Sequence, residues 1–401
     1  MRATIDDLEQ AVKADPSFEQ AWIVLGGFEF QNNQNREAMY SIRKALALKP
    51  ANTQPYKMVA AELTAPRRYQ EAMDIWGELA KQHPEDADVH TNLASLLLNQ
   101  KRYQEAVDQL EAAVNKDPTR PDLQAQLGHA YVQVKNLDKA MAAFSQAFAS
   151  KKDPVALNDA AYDLAENDFH LDQAERWAEE AVERKEAESA SITTDALSVP
   201  DLYVMNALSA FWDTLGWIHF REGHLAKAES YLGAAWKLSQ DALVGEHLAA
   251  VYEKEGKKAE SARVLALSKA AAEVASPTPN PELRRRDGSF AVPASRMGTT
   301  NATGDLSQMR RVKLGKLYPK SGAAEFWLLF ANGPKLEQIK FISGDEDIKA
   351  LGGALQSAKF NVLFPDDHPT KILRRGVLVC ESMGLGCDFT VYVPGTVTST
   401  E

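Results

Sequence analysis

The chain has 401 residues, of which 45% are hydrophobic and 25% are charged, and this composition predicts two or three folded units. Its formal net charge of −11 is uneven, with −14 over residues 1–275 and +3 over residues 276–401. The acidic part argues against non-specific nucleic-acid binding, which needs Lys and Arg facing phosphates. No apolar run reaches the ~18 residues that span a bilayer, and no signal peptide is recognisable.

The first part of the chain repeats itself at a step of 34 residues. The segment RYQEA occurs at 68–72 and again at 102–106. Prolines, small residues and large apolar residues keep the same step, as in Pro16, Pro50, Pro84 and Pro118; Ala38, Ala72, Ala106 and Ala140; and Ile42, Trp76, Leu110 and Phe144. Such a period predicts stacked helical hairpins: small residues lie where helices cross closely, and proline ends the second helix.

This pattern resembles the tetratricopeptide repeat, whose signature positions are matched by Trp22, Leu25, Gly26, Ala38, Ile42, Ala45 and Pro50. It departs from the signature at Glu29, where the family has Tyr. The resemblance implies a mainly α fold: an α-solenoid, which is a right-handed superhelix of helix-turn-helix repeats, followed here by a small α+β domain. One repeat cannot bury its own apolar face, so several must stack.

The expected domains are a solenoid over 1–272, a Pro/Ser/Thr-rich linker over 273–308 and the α+β domain over 309–401. Within the solenoid the pattern predicts a partial first repeat at 1–18, an insertion at 187–208, and repeats at about 19–52, 53–86, 87–120, 121–154, 155–186, 209–242 and 243–272. Residues 3–16 resemble the second helix of a repeat without its first helix. We therefore expect this chain to be the carboxy-terminal piece of a longer protein.

The α+β domain is predicted from its β pattern. Residues 323–345 contain two strand-like runs around Asn332-Gly333, a dipeptide that favours a tight hairpin. A short amphipathic helix is expected at 346–360, with Ile348, Leu351, Leu355 and Phe360 as its buried side, two more strands at 370–380 and 387–393, and an edge strand at 310–317. In order and size, residues 323–393 resemble the carboxy-terminal domain of TonB-type energy transducers.

The order of the parts also resembles a group of bacterial envelope proteins in which tetratricopeptide repeats follow a transglutaminase-like region. This resemblance implies a periplasmic or cell-envelope location. Cys380 and Cys387 end two predicted strands, so they form either a disulfide, which suits an oxidising compartment, or two buried free thiols.

Catalytic motifs are missing from the sequence. There is no HExxH, CxxC, Gly-x-Ser-x-Gly or phosphate-loop pattern, and His219 and His224 stand five residues apart, which does not place two ligands on one helical face. We therefore predict a protein that is not an enzyme and has no cofactor or metal site.

The remaining candidate site is the groove that the first helices line in this repeat family. Carried over position by position, its residues are Gln20, Ile23, Phe30, Gln31, Gln54, Lys57, Thr64, Asp88, Thr91, Ser95, Leu98, Asn99, Asp122, His129, Val132 and Gln133. This mixed and nearly neutral set suits an extended or helical peptide, so the expected partner is a protein or peptide. The alternative is that these residues are only solvated or cover another part of a parent protein.

Two functions follow as hypotheses. The first is a non-catalytic interaction scaffold that binds a partner in the groove. The second is an accessory region that positions a transglutaminase-like or hydrolase domain lying upstream.

Overall fold

The computed structural model describes residues 2–64, 68–149, 152–197, 199–274, 302–314, 321–331, 333–365, 370–381 and 386–393. The chain divides into two compact units, residues 1–152 and 153–401. This division falls between two helical hairpins inside the predicted solenoid, and not at the predicted linker. Most of that linker lies outside the described residues, although its end forms a helix.

The first unit consists of one helix followed by four helical hairpins. The helices are α1 Arg2–Ala14, α2 Glu19–Gln31, α3 Asn35–Ala47, α4 Gln54–Thr64, α5 Tyr69–Gln82, α6 Ala87–Asn99, α7 Tyr103–Lys116, α8 Pro121–Gln133 and α9 Leu137–Ala147. The single helix α1 packs its Ile5 and Val12 against Ala21 and Leu25 of α2, so its apolar face is covered. The hairpins α2–α3, α4–α5, α6–α7 and α8–α9 follow the 34-residue step.

The turn inside each hairpin has one recurring hydrogen bond. The amides of Gln34, Arg68, Arg102 and Asn136 donate to the carbonyls of Glu29, Leu63, Leu97 and Tyr131. The described residues that precede these donors, Asn33, Lys101 and Lys135, have φ of 61°, 57° and 62°. This is the left-handed C-terminal motif that satisfies the last carbonyls of a helix. Where the turn residues are described, the motif recurs because one local conformation is repeated with the sequence.

Close helix crossing depends on glycine at one position of the hairpin. A Cβ on Gly26 would lie 2.6 Å from Ile42 Cγ1, and one on Gly128 would lie 2.5 Å from Phe144 Cδ1. In both cases the large residue follows the glycine by 16 positions, on the partner helix of the same hairpin. The prediction that small residues mark the closest crossings is therefore confirmed at these positions.

The second unit begins with three more hairpins. Their helices are α10 Pro154–Glu166, α11 Leu171–Ala190, α12 Val199–Glu222, α13 Leu225–Ser239, α14 Ala242–Lys254 and α15 Lys258–Val274. The segment predicted as an insertion, residues 187–208, is largely helical. It contains the end of α11, a 3-10 helix at Thr194–Ala196 and the first half of α12, so α11 and α12 are longer than the ordinary helices of the array.

A five-stranded antiparallel sheet follows helix α16, Ala302–Met309. Its strands are β1 Arg311–Lys313, β2 Gly322–Ala331, β3 Leu336–Gly344, β4 Lys371–Glu381 and β5 Gly386–Val391, in the order β1-β5-β4-β2-β3. The predicted edge strand and the four longer strands are all present. Phe326, Phe330 and Phe389 are fully buried, and helix α17, Glu346–Lys349, covers part of the sheet.

Two details of this domain differ from the sequence predictions. The amphipathic helix expected over 346–360 is limited to α17 and a 3-10 helix, Gly352–Ser357, because Gly352 and Gly353 disfavour a continuous α-helix. The connection between β2 and β3 spans four residues, 332–335, so it is longer than the expected two-residue hairpin. Asn332 itself lies outside the described residues, whereas Gly333 has φ of 131°.

The sheet contacts the second unit's hairpins through polar atoms at the end of α11 and α13. Gln338 Oε1 accepts from the amide and hydroxyl of Thr194 at 3.0 and 2.9 Å, and Lys340 Nζ donates to the Thr194 carbonyl at 2.7 Å. Arg374 is buried and donates to the Leu238 carbonyl. The long α11 and the 3-10 helix therefore provide the surface on which the sheet rests.

None of the helices in the described part of the chain combines the length and apolar character that crossing a membrane requires.

Candidate functional site: the first-helix face

One row of side chains is exposed at equivalent positions of the first helix in each hairpin of the first unit. The row follows the helical spacing i, i+4, i+7 and i+11, which keeps it on one side of the helix. We call it the first-helix strip; it consists of Gln20, Val24, Gly27 and Gln31 in α2; Gln54, Met58 and Ala61 in α4; Asp88, Asn92, Ser95 and Asn99 in α6; and Asp122, Gln126, His129 and Gln133 in α8, all exposed or half-buried.

The structure corrects three of the predicted groove residues. Ile23, Phe30 and Val132 are only 3%, 8% and 2% exposed, so their side chains belong to the core between helices. Their positions lie one helical step away from the strip, on the side that faces the neighbouring helices. The other thirteen predicted residues are exposed or half-buried, and Lys57, Thr64, Thr91 and Leu98 form the half-buried edge of the strip.

Charges near the amino-terminal ends of the first helices are neutralised by residues of neighbouring repeats. Lys57 Nζ lies 2.6 Å from Asp86 Oδ2 of the next repeat. Burial raises the pKa of Asp86, but the contact with Lys57 and two backbone amides of α6 outweighs burial, so the pKa lies below its usual value. The strip therefore offers little net charge at this end.

A second ion cluster has the same effect one repeat further on. Arg120 donates to Asp88 Oδ1 and to Asp122 Oδ2, both at 2.6 Å. The hydrogen bond from Arg120 lowers the pKa of Asp122, so this carboxylate stays ionised and paired. The two acidic residues of the strip are thus bound to a single arginine, which leaves the strip close to neutral.

Val24 and Met58 are strip residues that the position-by-position analysis did not include. They are 45% and 57% exposed and stand 34 residues apart, so two consecutive repeats present an apolar side chain at the same place. The signal was available in the sequence as an apolar pair at one repeat position. In the next two repeats this place is taken by Asn92 and Gln126.

A comparison with protein-family models matches part of the helical region. The tetratricopeptide repeat family model matches residues 63–125 and 97–164. These residues therefore contain tetratricopeptide repeats. A search of the curated proteins finds no match.

A search of the solved structures finds matches of low sequence identity. A tetratricopeptide repeat protein from Parabacteroides merdae is 16% identical, with a TM-score of 0.46, over 65% of this chain and 94% of its own. PilW, a type IV pilus biogenesis factor, is 14% identical, with a TM-score of 0.44, over 56% and 95%. YrrB, described as having an unusual peptide-binding site, is 18% identical, with a TM-score of 0.35, over 44% and 90%.

The tetratricopeptide repeats of the first unit also contain a cleft of about 760 Å³ on a different face. It is lined mainly by the second helices α3, α5 and α7, and its residues include Met39, Met73 and Leu97. Its volume is that of a small-molecule pocket. The cleft shares no residue with the first-helix strip, so the first unit presents two distinct candidate surfaces.

The remaining predicted site residues lie in the sheet. Cys380 and Cys387 are directly opposite each other on β4 and β5, with Cα atoms 4.2 Å apart, and they form a disulfide. Of the two alternatives left open by the sequence, the structure therefore has the bonded form.

Four residues of the second unit form a potential metal-binding cluster that the sequence did not predict. Glu175 on α11, His219 and Glu222 on α12, and His224 just beyond α12 place their ligand atoms within 4.8 Å of one another. His219 is 2% exposed, and its burial, followed by the charges of Lys227 and His224, lowers its pKa to about 4. Its imidazole is therefore neutral at physiological pH.

Proposed function

We propose that this chain is a non-catalytic protein-interaction scaffold that holds an extended peptide segment along the first-helix strip. The single observation that carries the proposal is the strip itself, an exposed row at the same position of the first helix in four successive hairpins. A row with a constant step suits a ligand with a constant step of its own, such as an extended polypeptide.

The chemistry of the strip defines the kind of segment it would bind. Amide side chains such as Gln20, Gln54 and Asn99 can both donate to and accept from a peptide main chain. Val24 and Met58 offer apolar contact at the end nearer the amino terminus, and methionine adapts to differently shaped partners. We therefore expect a peptide of low net charge with an apolar side chain at one end.

Packing between the hairpins supports this role energetically. The strip lies on helices whose opposite faces are buried, for example through Leu25, Leu93 and Leu127. Helices fixed in this way lose little further freedom when a ligand binds, which reduces the entropic cost of association. The binding surface would be present before the partner arrives.

The proposal is tested with a displayed peptide library and two matched double variants. V24E/M58E places two charges on the strip, whereas Y40E/L48E adds the same charges at apolar residues of the first hairpin outside the strip, where Tyr40 and Leu48 are 57% and 41% exposed. Glutamate is a good helix former, so both variants should fold. We expect peptides selected on the wild type to bind Y40E/L48E and not to bind V24E/M58E.

If the selected peptides bound neither variant, or bound both variants equally, the strip would be rejected as the binding surface. Selection of peptides whose binding depends on Met39 or Met73 would instead favour the cleft on the second helices.

Two finer hypotheses from sequence resemblance belong to the same proposal. An accessory role beside an upstream transglutaminase-like or hydrolase domain is tested by the coding sequence that precedes residue 1, where a Cys/His/Asp constellation would support it. A TonB-like role predicts strand pairing with an extended partner at the sheet.

A periplasmic or cell-envelope location is proposed from the resemblance to envelope proteins, and the disulfide is compatible with it. Fractionation of the source cells tests the location directly: recovery only with the cytoplasm would reject it.

A further inference from the structure

Hairpins five and six of the chain meet at a cluster of nitrogen and oxygen ligands. His219 Nδ1 lies 3.5 Å from Glu175 Oε1 and 3.7 Å from Glu222 Oε2, and His224 Nδ1 lies 3.3 Å from Glu222 Oε2. A tetrahedral ion with bonds of about 2.0–2.1 Å separates its ligand atoms by about 3.3–3.4 Å. Three of the separations between these ligand atoms are therefore close to the value that a tetrahedral ion requires.

One buried atom of this cluster has no hydrogen-bond partner among the described residues. It is Nδ1 of His219, on a side chain that is 2% exposed. Leaving a buried polar atom unpaired costs about 1–3 kcal/mol, so such an atom in a folded protein calls for an explanation. The ligand atoms of Glu175, Glu222 and His224 lie within 4.8 Å of it, where a shared ion would satisfy it.

Local chain geometry explains why the two histidines meet although they are five residues apart. Helix α12 ends at Glu222, and Gly223 has φ of +84°, which other residues rarely adopt. The amide of His224 then donates to the carbonyl of His219 at 2.8 Å. This turn folds His224 back over the end of the helix, which brings the two rings to 6.0 Å.

We propose that Glu175, His219, Glu222 and His224 form a zinc site that joins α11 to the turn between α12 and α13. Two imidazoles disfavour Mg²⁺ and Ca²⁺, which prefer oxygen ligands, and a tetrahedral set of nitrogen and oxygen ligands suits Zn²⁺. Two carboxylates balance the charge of the ion. With four protein ligands the site is closed, so its role is structural: it fixes one hairpin against the next.

The site can be reached from solvent. His224 is 57% exposed at its side chain, whereas Glu175 and Glu222 are 26% and 16% exposed. An ion can therefore bind the folded protein, with His224 completing the coordination.

The experiment uses the full chain freed of metal with a chelator and then titrated with Zn²⁺ alone by calorimetry. We expect one high-affinity ion per chain and a higher melting temperature with the ion bound, because binding to the folded state stabilises it. Cobalt substitution should give the visible absorption bands of a tetrahedral site.

Variants at the exposed side of the cluster avoid a folding defect. H224Q and E175Q should each weaken Zn²⁺ binding by more than ~10-fold, since loss even of residues behind the ligands costs about 10–100-fold. H170Q is the matched control, because His170 is an exposed histidine outside the cluster, in the hairpin that contains Glu175. It should bind as the wild type does. Absence of stoichiometric binding by the wild type, or equal binding by H224Q and H170Q, would overturn the proposal.

Discussion

Gly26 and Gly27 are neighbours in α2, and alanine at these two positions should have opposite effects. A Cβ on Gly26 would lie 2.6 Å from Ile42 Cγ1 and 3.1 Å from the Ala38 carbonyl oxygen, whereas a Cβ on Gly27 meets nothing within 4 Å. Both substitutions gain the same helix propensity, about 0.5–1 kcal/mol. The difference between them therefore isolates the packing cost, which is typically about 1–3 kcal/mol for an overfilled core.

We expect G27A to stabilise α2 by about 0.5–1 kcal/mol and G26A to be less stable than G27A by about 1–3 kcal/mol. Native-state hydrogen exchange of peptides covering α2 is the suitable assay, because hairpins of an array can open locally. Circular dichroism in urea supplies the global comparison.

Removing the obstructing atom should reduce the stability cost of G26A. I42A lacks the Cγ1 atom that the new methyl group would meet, so the cost of G26A should be smaller in the I42A background than in the wild type. If G26A and G27A were equally stable, or if I42A did not change the cost of G26A, the close crossing of α2 and α3 would be refuted.

Three further predictions concern single contacts. C380A/C387A should lower the free energy of unfolding of the sheet by about 2–2.5 kcal/mol, from the loop entropy for a separation of 7 residues, and the urea midpoint under reductant should match that of the variant. D86N should lose the ion pair with Lys57. Because the pKa of Asp86 is lowered in the folded state, the wild type should have the higher free energy of unfolding at pH values above the usual pKa of 3.8. In urea titrations this difference should disappear as the pH falls below 3.8. Burial, and then the nearby Arg310 charge, lower the pKa of Arg374 to about 9. R374M carries no titrating group at this position, so the stability of the wild type relative to R374M should rise as the pH increases through about 9. A difference in melting temperature that does not change with pH would contradict this.

The repeat region was predictable because one period carries several independent signals. Proline, small residues and large apolar residues all keep the 34-residue step, and the structure adds the left-handed turn at Asn33, Lys101 and Lys135 with the same step. No proline or glycine marks these turn residues, so the conformation was not readable from residue type. The strands of the sheet were also predictable, from their short strand-like runs.

The candidate sites were less predictable, for physical reasons. Family positions indicate which face of the helix a residue occupies, but not how far its side chain is exposed to solvent. Ile23, Phe30 and Val132 were therefore expected at the surface and are buried. The metal-ligand cluster depends on Gly223 reversing the chain and on Glu175 from another hairpin, which linear spacing cannot show. The division at residues 152/153 likewise follows from contacts and not from the period.

Binding of the partner to the first-helix strip can be tested by photo-crosslinking. A peptide selected on the wild type would carry a benzophenone, which reacts readily with methionine side chains, and the adduct would be located by mass spectrometry. We expect adducts at Met58, which is 57% exposed on the strip. Adducts confined to Met39 and Met73 of the second helices, or to the sheet, would contradict it.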